Sequence, residues 1–124
     1  MKTIGIVGSR RRDSNDDYHK CLKAFEMLYE EGDRIVSGGC PKGGDAFAER
    51  IARKIGCTIT IHFPNWEKHG KAAGFVRNAA IAQESDVLIA LVSDDRTGGT
   101  EDTVKKFIGI LGPDITKKKR LVII

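Results

Sequence analysis

The chain has 124 residues, 40% of them hydrophobic and 31% charged, a balance typical of one soluble domain with a single core. No apolar run approaches the ~20 residues of a membrane-spanning helix, and strand-like sequence follows Met1 directly. We therefore expect no membrane segment, no signal peptide and a cytoplasmic location. The net charge of +4 is too small to establish nucleic-acid binding, and the 3 cysteines fit neither a disulfide framework nor a metal site.

Five short runs rich in isoleucine and valine predict β-strands, and amphipathic segments between them predict helices. The predicted strands cover residues 3–7, 34–37, 58–63, 87–92 and 121–124. Apolar strands that alternate with helices are typical of a parallel sheet covered on both faces. We therefore expect a three-layer α/β domain with a five-stranded parallel sheet, and a single domain over residues 1–124.

The helix boundaries are predicted from capping residues and helix-breaking glycines. Ser14 is the predicted N-cap of the first helix. The third helix is expected over residues 72–84, with Phe75 and Val76 on its buried side. The predicted helix ends are Gly32, Gly56, and Gly112 followed by Pro113.

Most of the chemically unusual residues follow the carboxyl ends of the first four predicted strands. The connections that enter strands are short, whereas the loops that leave them are rich in glycine, arginine and polar residues. Because the strands are expected to run parallel, these exit loops emerge at one edge of the sheet, where open α/β sheets bind ligands. The sequence therefore predicts one composite site built from several exit loops.

Residues 37–45 form a glycine-rich turn between the second predicted strand and the second helix. Such a turn lets the backbone approach a ligand closely and points unpaired N–H groups at an anion such as phosphate. The turn matches neither a Walker A motif nor the GxGxxG fingerprint, which disfavours ordinary dinucleotide binding. Asp45 either accepts hydrogen bonds from a ribose or caps the second helix. The predicted ligand-binding residues of this turn are Ser37, Gly38, Gly39, Lys42, Gly43, Gly44 and Asp45.

Two other exit loops contain candidates for the same site. The Arg10 guanidinium, which follows Gly8 and Ser9, is suited to hold a phosphate through two hydrogen bonds. The same segment is equally consistent with a surface turn whose arginine is solvated. Trp66 is the single tryptophan of the chain, and it either stacks on a base or packs onto the domain.

Further candidates lie at the starts of the third and fourth predicted helices. Arg77, beside Asn78, either faces a phosphate or carboxylate or remains solvated. A second glycine turn opens the fourth helix and is a second potential phosphate site. Its residues are Gly98, Gly99 and Thr100. Glu101 follows directly. It has three alternative roles: to complement the helix dipole, to bind a sugar hydroxyl, or to act as an acid or base.

Taken in order, these motifs resemble the SLOG superfamily, the Rossmann-like group that includes DprA/Smf proteins and the cytokinin-activating LOG phosphoribohydrolases. The chain is most similar to the small stand-alone YspA-like branch. The resemblance covers nearly the whole chain and implies strand order 3-2-1-4-5, a nucleotide or nucleotide-derived ligand, and a homodimer. For LOG-type enzymes it implies cleavage of the N-glycosidic bond of a nucleoside monophosphate. Their pattern has an arginine, matched by Arg77, and a glutamate at the place where this chain has Thr103.

Two functions remain open from the sequence. A binding module for sensing or sequestration would place Arg10, Lys42 and Arg77 opposite the phosphate of a nucleotide-type ligand. A phosphoribohydrolase would use Glu101 or Asp45 to stabilise positive charge on the sugar, and Arg77 to anchor the 5′-phosphate. Single-stranded nucleic-acid binding is a weaker alternative, because aromatic residues are few and not interleaved with the basic ones. We expect no metal ion and no cofactor.

Overall fold

The computed structural model describes residues 1–111 and 120–124, and within them five parallel strands alternate with helices. The strands are β1 (Thr3–Gly8), β2 (Arg34–Ser37), β3 (Ile59–Ile61), β4 (Val87–Leu91) and β5 (Arg120–Ile123). They pair in the order β3-β2-β1-β4-β5, and every pair is parallel. The predicted α/β class and five-stranded parallel sheet are confirmed, as is the strand order that the resemblance implies.

The helices cover both faces of the sheet. They are α1 (Asn15–Leu28), α2 (Gly44–Ile55), α3 (Trp66–His69), α4 (Ala73–Glu84) and α5 (Gly99–Leu111), with a 3₁₀ turn, Gly70–Ala72, before α4. Successive strand residues point to opposite faces: Ile35 packs with Phe25 of α1, and Val36 packs with Ile81 of α4 and Phe107 of α5. The three predicted layers follow from this alternation. None of the helices in the described part of the chain is long and apolar enough to cross a membrane.

Local sequence explains where α1 begins and α2 ends. Ser14 Oγ accepts a hydrogen bond from Asp17 N–H at 3.0 Å, and the Asp17 carboxylate accepts from Ser14 N–H. The predicted N-cap is therefore confirmed as a capping box. Gly56, with a φ of 81°, ends α2 in the left-handed conformation, as predicted. The end predicted at Gly32 is wrong, because α1 stops at Leu28 and Gly32 takes a φ of 95° in the tight turn into β2.

The buried face of α4 differs from the predicted one. Phe75 and Val76 are 58% and 43% exposed, whereas Asn78 and Ile81 are buried. Apolar residues occur on several sides of this helix, so its sequence does not define a single stripe. Asn78 is buried because its amide bonds to the first turn of α5. The helix end predicted at residues 112–113 lies outside the described residues.

Candidate functional site

A cavity of about 400 Å³ opens at the carboxyl edge of the sheet, between the loops that follow β1 and β4. These strands are neighbours in the sheet although β2 and β3 lie between them in the chain, so the strand order reverses at this point. Loops that leave the sheet on either side of such a reversal diverge and form a crevice in which open α/β proteins bind ligands. The volume falls in the range of small-molecule sites, about 300–1,000 Å³.

The loops after β1 and β4 form one part of the cavity wall. Ser9 N–H donates to Leu91 O at 2.9 Å and holds the β1 loop to the end of β4. Arg10 is exposed and has no hydrogen-bond or ion-pair partner among residues 1–111 and 120–124. Its guanidinium is therefore available to an anionic ligand. The predicted residues of these loops that line the cavity are Gly8, Ser9, Arg10, Gly98, Gly99 and Thr100.

Arg11 also lines the cavity, which was not predicted. Its Nη1 and Nη2 donate to Asp95 Oδ2 and Oδ1 at 3.0 and 2.8 Å. Ser93 Oγ and Thr97 Oγ1 each donate to Asp95 Oδ1 at 2.8 Å. The Arg11 guanidinium, followed by the two hydroxyls, holds the pKa of Asp95 well below its usual range. Asp95 therefore stays ionised and ties the β4 loop to the β1 loop.

Asp45 lies in the first turn of α2, with its side chain buried at the cavity wall. Its Oδ2 accepts from Cys40 N–H at 3.1 Å, and its Oδ1 lies 3.2 Å from the hydroxyl of Ser37, which does not itself line the cavity. The single hydroxyl proton of Ser37 has two acceptors within reach, Ile6 O at 2.5 Å and Asp45 Oδ1 at 3.2 Å. Burial raises the pKa of Asp45, although the Cys40 N–H opposes the shift. The N-cap of α2 is Gly43, so the alternative role of Asp45 as a cap is not seen.

Arg77 and Asn78, on α4, line the cavity and connect its two sides. Arg77 Nη1 donates to Gly38 O and Nε donates to Asn78 Oδ1, each at 2.8 Å. Asn78 Nδ2 donates to Gly99 O at 3.3 Å and to Asp102 Oδ2 at 3.1 Å. Arg77 thus supports the turn after β2 and keeps its remaining N–H groups for a ligand. Asn78 positions the start of α5.

The glycines of the 37–45 turn shape the site without lining its cavity, and the role of their N–H groups as donors to a ligand stays a prediction. Gly43 has a φ of 75°, and a Cβ there would collide with Ser9 O; a Cβ on Gly44 would collide with the backbone of β1. The Gly43 N–H donates to Asp13 Oδ1 at 2.8 Å, so a carboxylate of the protein already occupies the start of α2. The predicted donors that do not line the cavity are Gly38, Gly39, Gly43 and Gly44.

Lys42, Trp66 and Glu101 also lie outside the cavity lining. Lys42 is exposed, and Trp66 is 61% exposed at the start of α3. The two carboxylate oxygens of Glu101 accept from Nε and Nη2 of Arg96 at 2.8 Å each, and this pairing lowers the pKa of Glu101. Asp45 is therefore the better placed of the two predicted catalytic carboxylates.

Three further polar residues line the cavity without having been predicted as binding residues: Cys40, Thr97 and Thr103. Thr103 is buried and its Oγ1 donates to Gly99 O at 3.1 Å. Its position one helical turn after the second glycine turn is the signal by which the sequence could have indicated it. Among residues 1–111 and 120–124, no group of three or more histidine, cysteine or acidic side chains is arranged to hold a metal ion.

The architecture has a counterpart among solved structures. The X-ray structure of TM1055, a structural genomics target, is similar to this chain with a TM-score of 0.63 and 18% sequence identity. The similarity covers 89% of this chain and 70% of that one. The chain has a Rossmann-like fold. Identity at this level supports the fold alone; no protein-family model matches the chain, and no curated protein matches it.

Proposed function

We propose that this protein binds a nucleotide or nucleotide-derived phosphorylated ligand in the cavity between the exit loops of β1 and β4, for sensing or sequestration. The observation that carries the proposal is the coincidence of three features at one point. The strand order reverses there, the guanidinium of Arg10 has no partner in the described part of the chain, and α5 begins at the cavity. A crevice, a free cation and a helix N-terminus together favour an anionic small molecule.

The charges around the two helix starts favour α5 over α2 as the phosphate site. Asp13 and Asp45 both lie at the start of α2, where they would repel a second anion. The acidic residues in the first turn of α5 are Glu101 and Asp102, and each is paired with a cation of its own helix or the preceding loop. The N–H groups of α5 thus keep a positive potential toward the cavity.

Asp45 gives the cavity a group that can bind the sugar of a ligand. A buried carboxyl group offers hydrogen-bond acceptors to hydroxyl groups of a sugar, while its charge disfavours a phosphate beside it. Arg10 and the start of α5 lie in other segments of the same cavity wall. One ligand could therefore place its phosphate beside these two groups and its sugar beside Asp45. The residues that match the SLOG motifs also support this assignment.

Calorimetric titration tests the proposal with AMP, GMP, CMP, UMP, ribose 5-phosphate and adenosine. We expect a phosphorylated member to bind with a Kd below 1 mM, and adenosine to bind at least ~10-fold more weakly than AMP because it lacks the phosphate. If no member binds more tightly than about 1 mM, the proposal fails.

A second candidate function is cleavage of the N-glycosidic bond of a nucleoside monophosphate, and the position of Asp45 favours it. A carboxylate beside the sugar would stabilise positive charge that develops on the ring as the base leaves. Asp45 lines the cavity, whereas Glu101 is paired with Arg96, and Thr103 stands at the family's glutamate position. Incubation with the four nucleotides should then release free base, and Asp45→Asn should abolish release while Glu101→Gln retains it.

We also propose that the protein is a homodimer, as the resemblance implies. Phe75 and Val76 project from α4 with more than two fifths of their surface exposed, which leaves an apolar area for a second copy to cover. Light scattering coupled to size-exclusion chromatography should give twice the chain mass of 13.6 kDa. Phe75→Glu should then give the monomer mass.

A further inference from the structure

Phe63 is a large apolar side chain that stays in solvent beside the site. It follows β3 and is 69% exposed. A Cβ on Gly39 would lie 2.6 Å from Phe63 Cε1 and 2.7 Å from Ile61 Cγ2, so the ring rests against the turn after β2. Gly39 also has a φ of 78°, so both the backbone conformation and the ring require glycine there. The phenyl ring is thus in contact with the site's own turn yet remains open to a ligand.

Phe63 does not line the cavity itself, but the sheet order places the exit of β3 on the same carboxyl edge. Along the carboxyl edge, the exits of β3, β2, β1 and β4 follow one another and carry Phe63, Cys40, Arg10 and Thr100 in that order. The last three line the cavity. With strands about 4.8 Å apart, the exit of β3 lies roughly 12 Å from the midpoint between β1 and β4. An extended mononucleotide has a comparable length.

We propose that Phe63 forms the base subsite of the ligand, an inference that rests on the proposed function. The phosphate lies between Arg10 and the start of α5, the sugar lies beside Asp45, and the base passes Cys40 and stacks on the Phe63 ring. An aromatic ring that is exposed on one side suits the flat face of a nucleobase and accepts different bases. Phe63 thereby takes the role that the sequence suggested for Trp66.

The test compares AMP with ribose 5-phosphate, which has the phosphate and sugar but no base. In the wild-type protein we expect AMP to bind more tightly than ribose 5-phosphate. Phe63→Ala should weaken AMP binding by about 10-fold or more and leave ribose 5-phosphate binding unchanged. Phe63→Tyr should retain AMP affinity. The matched control is Met27→Ala, which removes another exposed large apolar side chain, on α1 and outside the cavity lining, and should change neither affinity.

Each other outcome overturns a defined part of the account. Equal losses for both ligands in Phe63→Ala would show that the ring only supports the turn, and unchanged AMP binding would show that the base lies elsewhere. If ribose 5-phosphate binds to the wild-type protein as tightly as AMP, the base subsite is wrong while the phosphate site stands. If neither ligand binds, the proposed function fails and the subsite fails with it.

Discussion

Arg11 and Asp95 join the loops that follow β1 and β4 through two parallel hydrogen bonds of 2.8 and 3.0 Å. The residues are 84 positions apart in the chain, and their side chains are 61% and 51% exposed. Because Asp95 also accepts from Ser93 and Thr97, the pair fixes the path of the β4 loop as it approaches α5. These contacts favour the arrangement of the two loops that frames the cavity, which reduces the entropic cost of ordering them on binding.

Three consecutive arginines have different environments, which predicts different effects of the same substitution on stability. Arg12 donates to Asp17, to Val92 O and to Ile124 O, and its side chain is 19% exposed. Arg12→Gln should therefore lower the free energy of unfolding by about 1–3 kcal/mol. Arg11→Gln should cost clearly less than Arg12→Gln, because the ion pair of Arg11 with Asp95 is exposed to solvent. Urea denaturation of both variants measures this, and equal losses would contradict the assignment.

Arg10 should matter for binding and not for folding. Arg10→Ala removes a guanidinium without a partner in the described residues, so the free energy of unfolding should change by no more than about 0.5 kcal/mol. Its phosphate contact should be worth about 1.5–3 kcal/mol, a loss in AMP affinity of roughly 10-fold or more. Lys42→Ala is the matched control, since Lys42 is exposed outside the cavity lining and should change affinity less. Equal effects of the two substitutions would place the phosphate elsewhere.

Asp45→Asn should stabilise the protein at neutral pH by about 1 kcal/mol while it weakens ligand binding. An asparagine amide can donate to Ser37 Oγ and its carbonyl can accept from Cys40 N–H, so no polar group loses its partner. We expect stabilisation because burial raises the pKa of Asp45, which means that folding disfavours its charged form. The favourable contribution of its protonated form is complete below the unfolded pKa and is lost as the pH rises through the folded pKa. The extra stability of Asp45→Asn should therefore appear at pH values above the folded pKa of Asp45 and disappear at pH values below the unfolded pKa.

Asp33→Asn is the contrasting control for Asp45→Asn. Asp33 is also buried, but it accepts from Lys2 N–H and Nζ at 2.8 and 2.5 Å and from Glu30 N–H at 2.9 Å. Burial acts to raise the pKa of Asp33, and these hydrogen bonds lower it overall. Its contribution is therefore present above the unfolded pKa and lost as the pH falls through the folded one. Thermal melts should show Asp33→Asn destabilised at neutral pH; a stabilised variant would contradict this reading.

Gly44→Ala should destabilise the protein, whereas Gly74→Ala should stabilise it. A Cβ on Gly44 would lie 2.6 Å from Val7 O, and even closer to other atoms of the β1 backbone, which cannot move without disturbing the sheet. We expect a loss of more than about 1 kcal/mol. Gly74 lies within α4 with no atom within 4 Å of a Cβ, so alanine there should gain about 0.5–1 kcal/mol. Chemical denaturation of both variants measures the change in the free energy of unfolding. We expect a decrease for Gly44→Ala and an increase for Gly74→Ala, and changes of the same sign would contradict this interpretation.

The sequence predicts those features that depend on local patterns. Alternating apolar runs and helical segments indicate the five parallel strands, and the Ser14 to Asp17 spacing indicates the start of α1. The convergence of Arg10, Arg77 and Thr100 at one cavity follows from the direction of parallel strands.

Features that depend on distant pairing are not predictable from such patterns. Asn78 reads as a polar residue near the start of a helix, and it is buried because its partners lie 21 and 24 residues away. The glycines of the 37–45 turn indicate close backbone approach, but the sequence does not say that the approaching group is the β1 loop and not a ligand. The pairing of Glu101 with Arg96 depends on an arginine with a φ of 54°, a conformation that few side chains adopt.

The location of the ligand is the central claim, and mapping amide chemical shifts by NMR during a titration with AMP tests it most directly. We expect the largest shifts at Gly8 to Arg11 and at Thr97 to Thr103, the loops that frame the cavity. Shifts confined to the opposite edge of the sheet, at Asp33 and Ser85, or no shifts at millimolar AMP, would contradict the account.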